Sequence, residues 1–271
     1  GAFNGYYRIR VCDYPCRDDV NLLPVKSIVC GIQPQRQTQR REVTLEQAGT
    51  LAELLSEQER ESLTTLVVNG PINSSDIALL RKMAGAVLTP EFNSWQGGSL
   101  RHLDLANAFI VADSIPYLVY PAVKTWTYTM TRNNRKQTFS YDFKKMNETQ
   151  WKSFCEHIGA QQQGVFYTRY EDNTYWAHYQ CQDSIVGERM FIDCTSLQSL
   201  VLPNSITRIE NYAFSNCALL QQIQIPKGVE QIVKTPFFGC SSLEQITLPV
   251  GVKTEGVIYE KCSPALRLNH Q

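Results

Sequence analysis

Three consecutive stretches in the last third of the sequence are variants of one pattern: CTSLQSLVLPNSITRIENYAFSN from Cys194, CALLQQIQIPKGVEQIVKTPFFG from Cys217 and CSSLEQITLPVGVKTEGVIYEK from Cys240. The cysteines recur after 23 and 23 residues, and after 22 to Cys262. Leu197, Leu220 and Leu243 follow three residues later, then Leu200, Ile223 and Ile246, then Leu202, Ile225 and Leu248, each before a proline (Pro203, Pro226, Pro249). The shared pattern is C-x-x-L-x-x-[LI]-x-[LI]-P. Downstream, Ile206 and Ile209 match Val229 and Ile232, and Phe214 matches Phe237. A period in the twenties restricts a chain to a stacked solenoid. One unit of that length is a strand plus a return path, and it buries its apolar side only against its neighbours. Alternation along the strand turns Leu200 and Leu202 inward and Ser199 and Val201 outward. Proline ends the strand because it lacks the N–H for the next ladder bond. The phenylalanines and cysteines are left to plug the return side.

The strand half of the unit also occurs upstream. SLRHLDL (99–105) sets Leu100, Leu103 and Leu105 at the same spacing, and SLTTLVV (62–68) does so with Leu63, Leu66 and Val68. Between them, SSDIALLRKMAG reads as a helix with Ser74 or Ser75 as its cap, Ile77, Leu80 and Met83 or Ala84 on one face, and Gly85 at its end. A solenoid also needs a polar end cap. REVTLEQAGTLAELLSEQERE (41–61) suits that role, as a short strand and then a helix with Leu51, Leu54 and Leu55 on one face and an acidic outer side.

LPNSITRIENYAFSNC (202–217) resembles the repeat of BspA-like bacterial surface proteins, L-x-x-[LI]-x-[LI]-P, then I-x-x-I, then A-F-x-x-C. AGTLAELL, NGPINSSDIALLRKMAG and LRHLDLANAFIV are similar to the N-terminal part of exported members from commensal bacteria. The resemblance covers about residues 42–111 and 185–262. The second copy departs from it with Pro236-Phe237-Phe238, and the third lacks the aromatic and is one residue short, as a terminal, cap-like unit would be. The resemblance implies a leucine-rich-repeat fold and a scaffold for adhesion or binding.

Between Leu105 and Cys194 the pattern breaks. Residues 109–186 hold more than half of the chain's aromatics. TWTYTMT and KQTFSYDF alternate around Arg132-Asn133-Asn134-Arg135 and read as a β-hairpin. NETQWKSFCEHIGA reads as a helix with Asn147 or Thr149 near its cap. VFYTRY and TYWAHYQ around Glu171-Asp172-Asn173 read as a second hairpin. The gap from Leu100 to Leu197 is close to four periods, so degenerate repeats are the alternative to an insertion, but no L-x-x-L-x-L occurs in it. The expected fold class is therefore an α/β leucine-rich-repeat solenoid of parallel strands, with an N-terminal helical cap and an inserted aromatic α+β element. The expected divisions are an extension and linker over 1–40, cap and first repeats over 41–108, the insertion over 109–186, and BspA-type repeats over 187–271. The first 32 residues contain two strand-like runs, YYRIRVC and VKSIVCGI, which fit either a hairpin on the cap or another small unit.

Lys plus Arg equals Asp plus Glu at 26 each, so no global field points to nucleic acid or a membrane surface. No stretch approaches the ~20 apolar residues of a membrane span. The opening Gly-Ala-Phe reads as a cleavage or cloning scar, with any export signal already gone. Of the nine cysteines, Cys194, Cys217, Cys240 and Cys262 occupy equivalent repeat positions, the mark of packing and not of a disulfide framework. Cys12, Cys16 and Cys30 cluster without a nearby histidine as a fourth zinc ligand, and a disulfide is the other reading. The four histidines form no metal motif, and nucleotide-loop and serine-hydrolase motifs are absent. No metal and no cofactor is expected. His102 and Asp104 share an outward strand face, on which Ser199 would complete a hydrolase-like trio, but a solvated polar ladder is the simpler reading. Cys155 and His157 are two apart on a helix and do not face each other.

Binding fits better. The outward positions form two rows, Thr65, His102, Ser199, Gln222, Gln245 and Val67, Asp104, Val201, Gln224, Thr247, polar and nearly uncharged. The candidate concave binding face is thus His102, Asp104, Ser199, Val201, Gln222, Gln224, Gln245 and Thr247, with a solvated face of glutamine ladders as the equal alternative. The basic hairpin adds Trp126, Tyr128, Arg132 and Arg135 as a site for an anionic polymer or an acidic protein patch, although the simpler reading makes its aromatics the core of the insertion itself. The expected function is a non-catalytic interaction module of an exported or cell-surface bacterial protein, a monomer with an extracellular protein or glycan as partner. A hydrolase with its site where insertion meets sheet, and a structural module of an envelope assembly, are the rival readings.

Overall fold

Alternating Leu, Ile and Val separated by polar residues and closed by proline make three- and four-residue strands, too short to stand alone. They are stable here because each lies against the next along the chain. The computed structural model describes residues 39–86, 98–121, 125–132, 135–142, 145–161, 164–169 and 175–271, with backbone alone for 125–132, 135–142 and 157–161. The strand-like runs of the first 32 residues, the linker up to residue 38, the Cys12–Cys16–Cys30 cluster and the expected turn residues 133–134 and 171–173 lie outside the described residues, and Arg40, expected in the linker, already begins the first strand. Everything described belongs to the unit Thr38–Gln271.

In chain order the elements are β1 (Arg40–Thr44), α1 (Leu51–Leu54), α2 (Glu57–Ser62), β2 (Thr65–Ile72), α3 (Ser74–Met83), β3 (His102–Asp104) and β4 (Ala108–Ile110). There follow β5 (Pro116–Pro121), β6 (Thr125–Arg132), β7 (Arg135–Asp142), α4 (Glu148–Gln161), β8 (Val165–Arg169) and β9 (Tyr175–Gln180). The repeats then give β10 (Ile185–Val186), β11 (Ser199–Val201), β12 (Arg208–Ile209), β13 (Gln222–Gln224), β14 (Gln231–Val233), β15 (Gln245–Leu248), β16 (Lys253–Glu255) and β17 (Arg267–His270).

The main sheet is parallel, in the order β1-β2-β3-β11-β13-β15-β17, with β4 continuing on β2. A second parallel sheet, β10-β12-β14-β16, forms the return side. The fold is the expected α/β leucine-rich-repeat solenoid. Every inward position of the pattern is closed to solvent: Leu197, Leu200 and Leu202, their equivalents in the next two rungs, and Leu63, Leu66, Val68, Leu100, Leu103 and Leu105 upstream are all at most 4% exposed. On the return side the phenylalanines stack as a column, with ring centres 6.0 Å apart for Phe191 and Phe214 and 5.1 Å for Phe214 and Phe237. The cysteines hold that column to the backbone. Cys217 Sγ donates to the carbonyl of Phe191 at 3.2 Å, Cys240 to that of Phe214 at 3.1 Å and Cys262 to that of Phe237 at 2.9 Å. The residue before each cysteine is left-handed, at φ 61° for Asp193, 60° for Asn216, 75° for Gly239 and 54° for Lys261. Asp, Asn and Gly are the residues that accept this geometry at least cost. At Gly239 a Cβ would also stand 2.5 Å from Asn216 Oδ1.

β3 pairs directly with β11, His102 with Ser199 and Leu103 with Leu200, although 97 residues separate them. No degenerate rungs intervene in the sheet. The missing return half of the β3 rung lies after the interruption: Val186 is in register with Ile209 through β10 and β12, and Phe191 heads the aromatic column. One rung is thus split, with its strand at 102–104 and its return at 185–194. The path leaves and rejoins at adjacent points, where Ser184 N donates to Ile110 O at 3.1 Å and Ala112 N to Asp183 Oδ1 at 2.7 Å. Between them, β5, β9 and β8 form an antiparallel sheet in that order, and β6 and β7 a two-stranded hairpin. Trp151 and Phe154 of α4 pack on Tyr175 and Tyr167 of that sheet, while Tyr117, Leu118, Ala177 and Tyr179 join the repeat core.

Some local details differ from the sequence reading. Asn73, not Ser74 or Ser75, caps α3, its side chain accepting from Ser75 N, and Asp76 completes the box. Ser74 is instead wholly buried, donating to Asp113 and accepting from Cys181 N. Asp76 accepts from Gly49 N, Leu51 N and Asn73 N, tying α1 to α3. Leu54, expected inward with Leu51 and Leu55, is 41% exposed, because α1 is a single turn and Leu55 already leaves it in an extended conformation. The sheet continues past the last cysteine into β17, where Leu268 lies beside Ile246.

Candidate functional site

Because the strands are parallel and in register, equivalent outward side chains form straight rows. Thr65 aligns with His102, His102 with Ser199, Ser199 with Gln222, and Gln222 with Gln245. Arg40 and Arg267 extend this row at its two ends. In the second row Val67 aligns with Asp104, Asp104 with Val201, and Gln224 with Thr247, with Glu42 and Asn269 outside. All eight concave-face residues named from the sequence lie on this one face. His102, Gln222, Gln224 and Gln245 are exposed, Val201 is 44% exposed, and Ser199, Asp104 and Thr247 are partly so.

Three rungs of this face form an open groove of about 360 Å³, lined by β11, β13 and β15 and by residues that follow β11 and β13. Its polar groups are Ser199, Asn204, Gln222, Gln224, Gln245 and Thr247, and every lining residue is uncharged. Gln224 Nε2 donates to Gln271 Oε1 at 2.9 Å, and Gln271 in turn donates to Ile225 O at 2.8 Å. Gln271 and Asn204 were not legible from the repeat. The positions equivalent to Asn204 are Lys227 and Val250, so no residue type recurs there.

His102 Nδ1 lies 3.3 Å from Ser199 Oγ. Asp104, the third member of the imagined trio, accepts from Ala106 N at 2.9 Å and caps the turn after its own strand. The structure therefore gives a serine–histidine contact in a ladder, with the carboxylate committed elsewhere. His178 is on the insertion sheet, its Nε2 2.8 Å from Thr168 Oγ1 and its ring stacked at 4.4 Å on Phe166. Burial lowers its pKa and favours the neutral ring. Cys155 on α4 has its thiol pushed up by burial, and the side chain of His157 lies outside the described residues. Trp126 and Tyr128 stand on β6, Arg132 and Arg135 face each other across the hairpin in β6 and β7, and their side chains lie outside the described residues. Among the described residues, no group of three or more His, Cys, Asp or Glu is placed to hold a metal ion, and no helix is long and apolar enough to cross a membrane.

A second polar constellation lies where the insertion sheet meets the return side. The guanidinium of Arg189 sits between the rings of Tyr120 and Tyr212, 5.0 and 4.8 Å from their centres. Its Nε donates to Tyr179 Oη at 3.1 Å and lies 3.8 Å from Glu188 Oε1. Tyr117 Oη donates to Glu188 O at 2.6 Å. Burial is the main cause that raises the Glu188 carboxyl to about 7, against the pull of Arg189. Nothing in the repeat pattern marks these residues, since they come together from β5, β9 and the loops after β10 and β12.

Residues 179–265 match the family model of the BspA type leucine-rich repeat region, in six copies. A leucine-rich repeat protein from Bacteroides ovatus ATCC 8483 is similar at 26% identity over 33% of this chain and 29% of its own, with a TM-score of 0.28. A leucine-rich cell surface protein from Faecalibacterium prausnitzii A2-165 is similar at 15% identity over 77% of this chain and 54% of its own, also with a TM-score of 0.28. The chain thus spans less than two thirds of each of these two structures. No curated protein matches it.

Proposed function

We propose that this chain, whose residues 179–265 carry BspA-type leucine-rich repeats, is a non-catalytic interaction and adhesion module of an exported bacterial surface protein. It binds macromolecules of a host or a neighbouring cell through the outward face of its main sheet. The observation that carries the reading is the groove across β11, β13 and β15, with its rows of aligned Ser, Gln and Thr side chains. A scaffold that spends its apolar residues on rung stacking leaves this face free to vary, and sites in repeat folds are grafted onto such faces. The commitment of Asp104 to Ala106 N supports binding over hydrolysis.

The test is an array of immobilised extracellular-matrix proteins and glycans, probed with the wild type and with a Gln222→Ala/Gln224→Ala/Gln245→Ala variant. The expected result is saturable binding that weakens at least tenfold in the variant while its circular dichroism is unchanged. A folded wild-type protein that binds nothing on the array, or a variant that binds equally well, refutes the reading.

A further inference from the structure

Resting on the reading of this groove as the binding face, we infer that its occupant is a neutral linear glycan that crosses the rungs, placing about one sugar ring on each. Two observations select this class.

The first is charge. The lining presents amides on Asn204, Gln222, Gln224 and Gln245 and hydroxyls on Ser199 and Thr247, with no ionisable group among them. Amides and hydroxyls both donate and accept, which matches a ligand edged with hydroxyls that do the same. A polyanion entering the groove would give up its hydration with no cation to replace it, and nucleic-acid affinity comes largely from Lys and Arg on phosphates. Of the arginines of the face, Arg40 lies three strands from the groove, and Arg267 flanks it beside Gln245, a single cation at its margin with none among the lining residues.

The second is spacing. Gln222 and Gln245 are direct partners on adjacent strands, as are Gln224 and Thr247, so polar groups recur at the interstrand distance of ~4.8 Å. That is close to the length of one sugar ring in an extended glycan. An extended peptide lying across the rungs repeats its same-face side chains only every ~6.7 Å, and falls out of step within two residues. The Gln224–Gln271 hydrogen bond presents one of the amides already oriented at the groove margin.

The experiment is titration of the isotope-labelled full chain with three neutral hexasaccharides, cellohexaose, laminarihexaose and mannohexaose. A hyaluronan hexasaccharide is the anionic control, and an uncharged extended peptide the polypeptide control. At least one neutral hexasaccharide should saturate, shifting the side-chain amide signals of Gln222, Gln224 and Gln245. It should bind at least tenfold tighter than its disaccharide, and at least tenfold weaker to a Gln222→Ala/Gln245→Ala variant. Thr247→Arg, which blocks the groove from a partly exposed position, should abolish binding with the fold intact. The inference is overturned by three neutral hexasaccharides that fail to saturate at millimolar concentration. Amide shifts elsewhere, indifference to both variants, or equal binding of hyaluronan or the peptide would overturn it too. If the sugars fail while the groove variants still lose partners on the array, the glycan inference falls and the interaction module stands.

Discussion

Cys217, Cys240 and Cys262 each donate a thiol hydrogen to the phenylalanine carbonyl one rung earlier, so the cysteine of the pattern is a packing residue with a polar tip. Burial pushes the Cys194 thiol up to about 12 and raises the Cys217 thiol well above its ordinary value, holding both as uncharged thiols. The sequence already showed these positions as interior, because a residue that recurs at the rung period recurs in one environment. It could not show Glu188, whose carboxylate lies beside Arg189 and whose carbonyl accepts from Tyr117 of the inserted sheet. In the folded protein its carboxyl titrates near 7, above its ordinary value of 4.5, mainly because it is buried. A raised acid pKa means that the native state binds the proton more tightly than the unfolded chain. The favourable contribution is present below pH 4.5 and lost as pH rises through 7. Glu188→Gln, which keeps the shape without the charge, should therefore stabilise the protein at pH 8 by about 1–3 kcal/mol and leave it nearly unchanged at pH 4. Urea midpoints at the two pH values measure this, and equal effects at both would show that the carboxyl is not perturbed.

At the level of elements, the short strands were legible because their signals are local: alternation turns the side chains and proline ends the ladder. The return strands β10, β12, β14 and β16 are two or three residues long, and only their alignment in a sheet makes them strands. Their rungs are fastened by the aromatic column, in which Phe214 is wholly buried between Phe191 and Phe237. Phe214→Ala should leave a cavity that neighbouring backbone is too constrained to close, at a cost of about 3–5 kcal/mol. Chemical denaturation of the purified variant tests this, and a loss under about 1 kcal/mol would mean that the column relaxes around the gap. The cap of α3 shows the opposite limit. Three polar residues in a row, Asn73, Ser74 and Ser75, each suit an N-cap. The choice of Asn73 depends on Ser74 being drawn to Asp113 and Cys181 instead.

In the whole molecule, the interruption falls inside a rung. The chain completes the β3 strand, departs after β4, and returns through β10 to close the same unit. The inserted sheet is anchored, since Tyr117, Leu118, Ala177 and Tyr179 enter the repeat core. The β6–β7 hairpin is different, as its backbone pairs only with itself among the described residues. Deleting residues 124–145 across a short glycine-serine bridge should leave the melting transition of the repeats in place, whereas a collapse of that transition would show that the hairpin supports the core. The sequence by itself determined the rungs: which side chains face inward, where each strand stops, and which polar residues line the outward face. These follow from the alternation of a strand, the missing N–H of proline and a fixed repeat length, all properties of neighbouring residues. Only the tertiary structure decided that strands 97 residues apart pair directly, that the aligned amides line a groove, and that Arg189 is held between two tyrosine rings. Those facts depend on burial and on pairing between distant parts of the chain, and no local pattern encodes them.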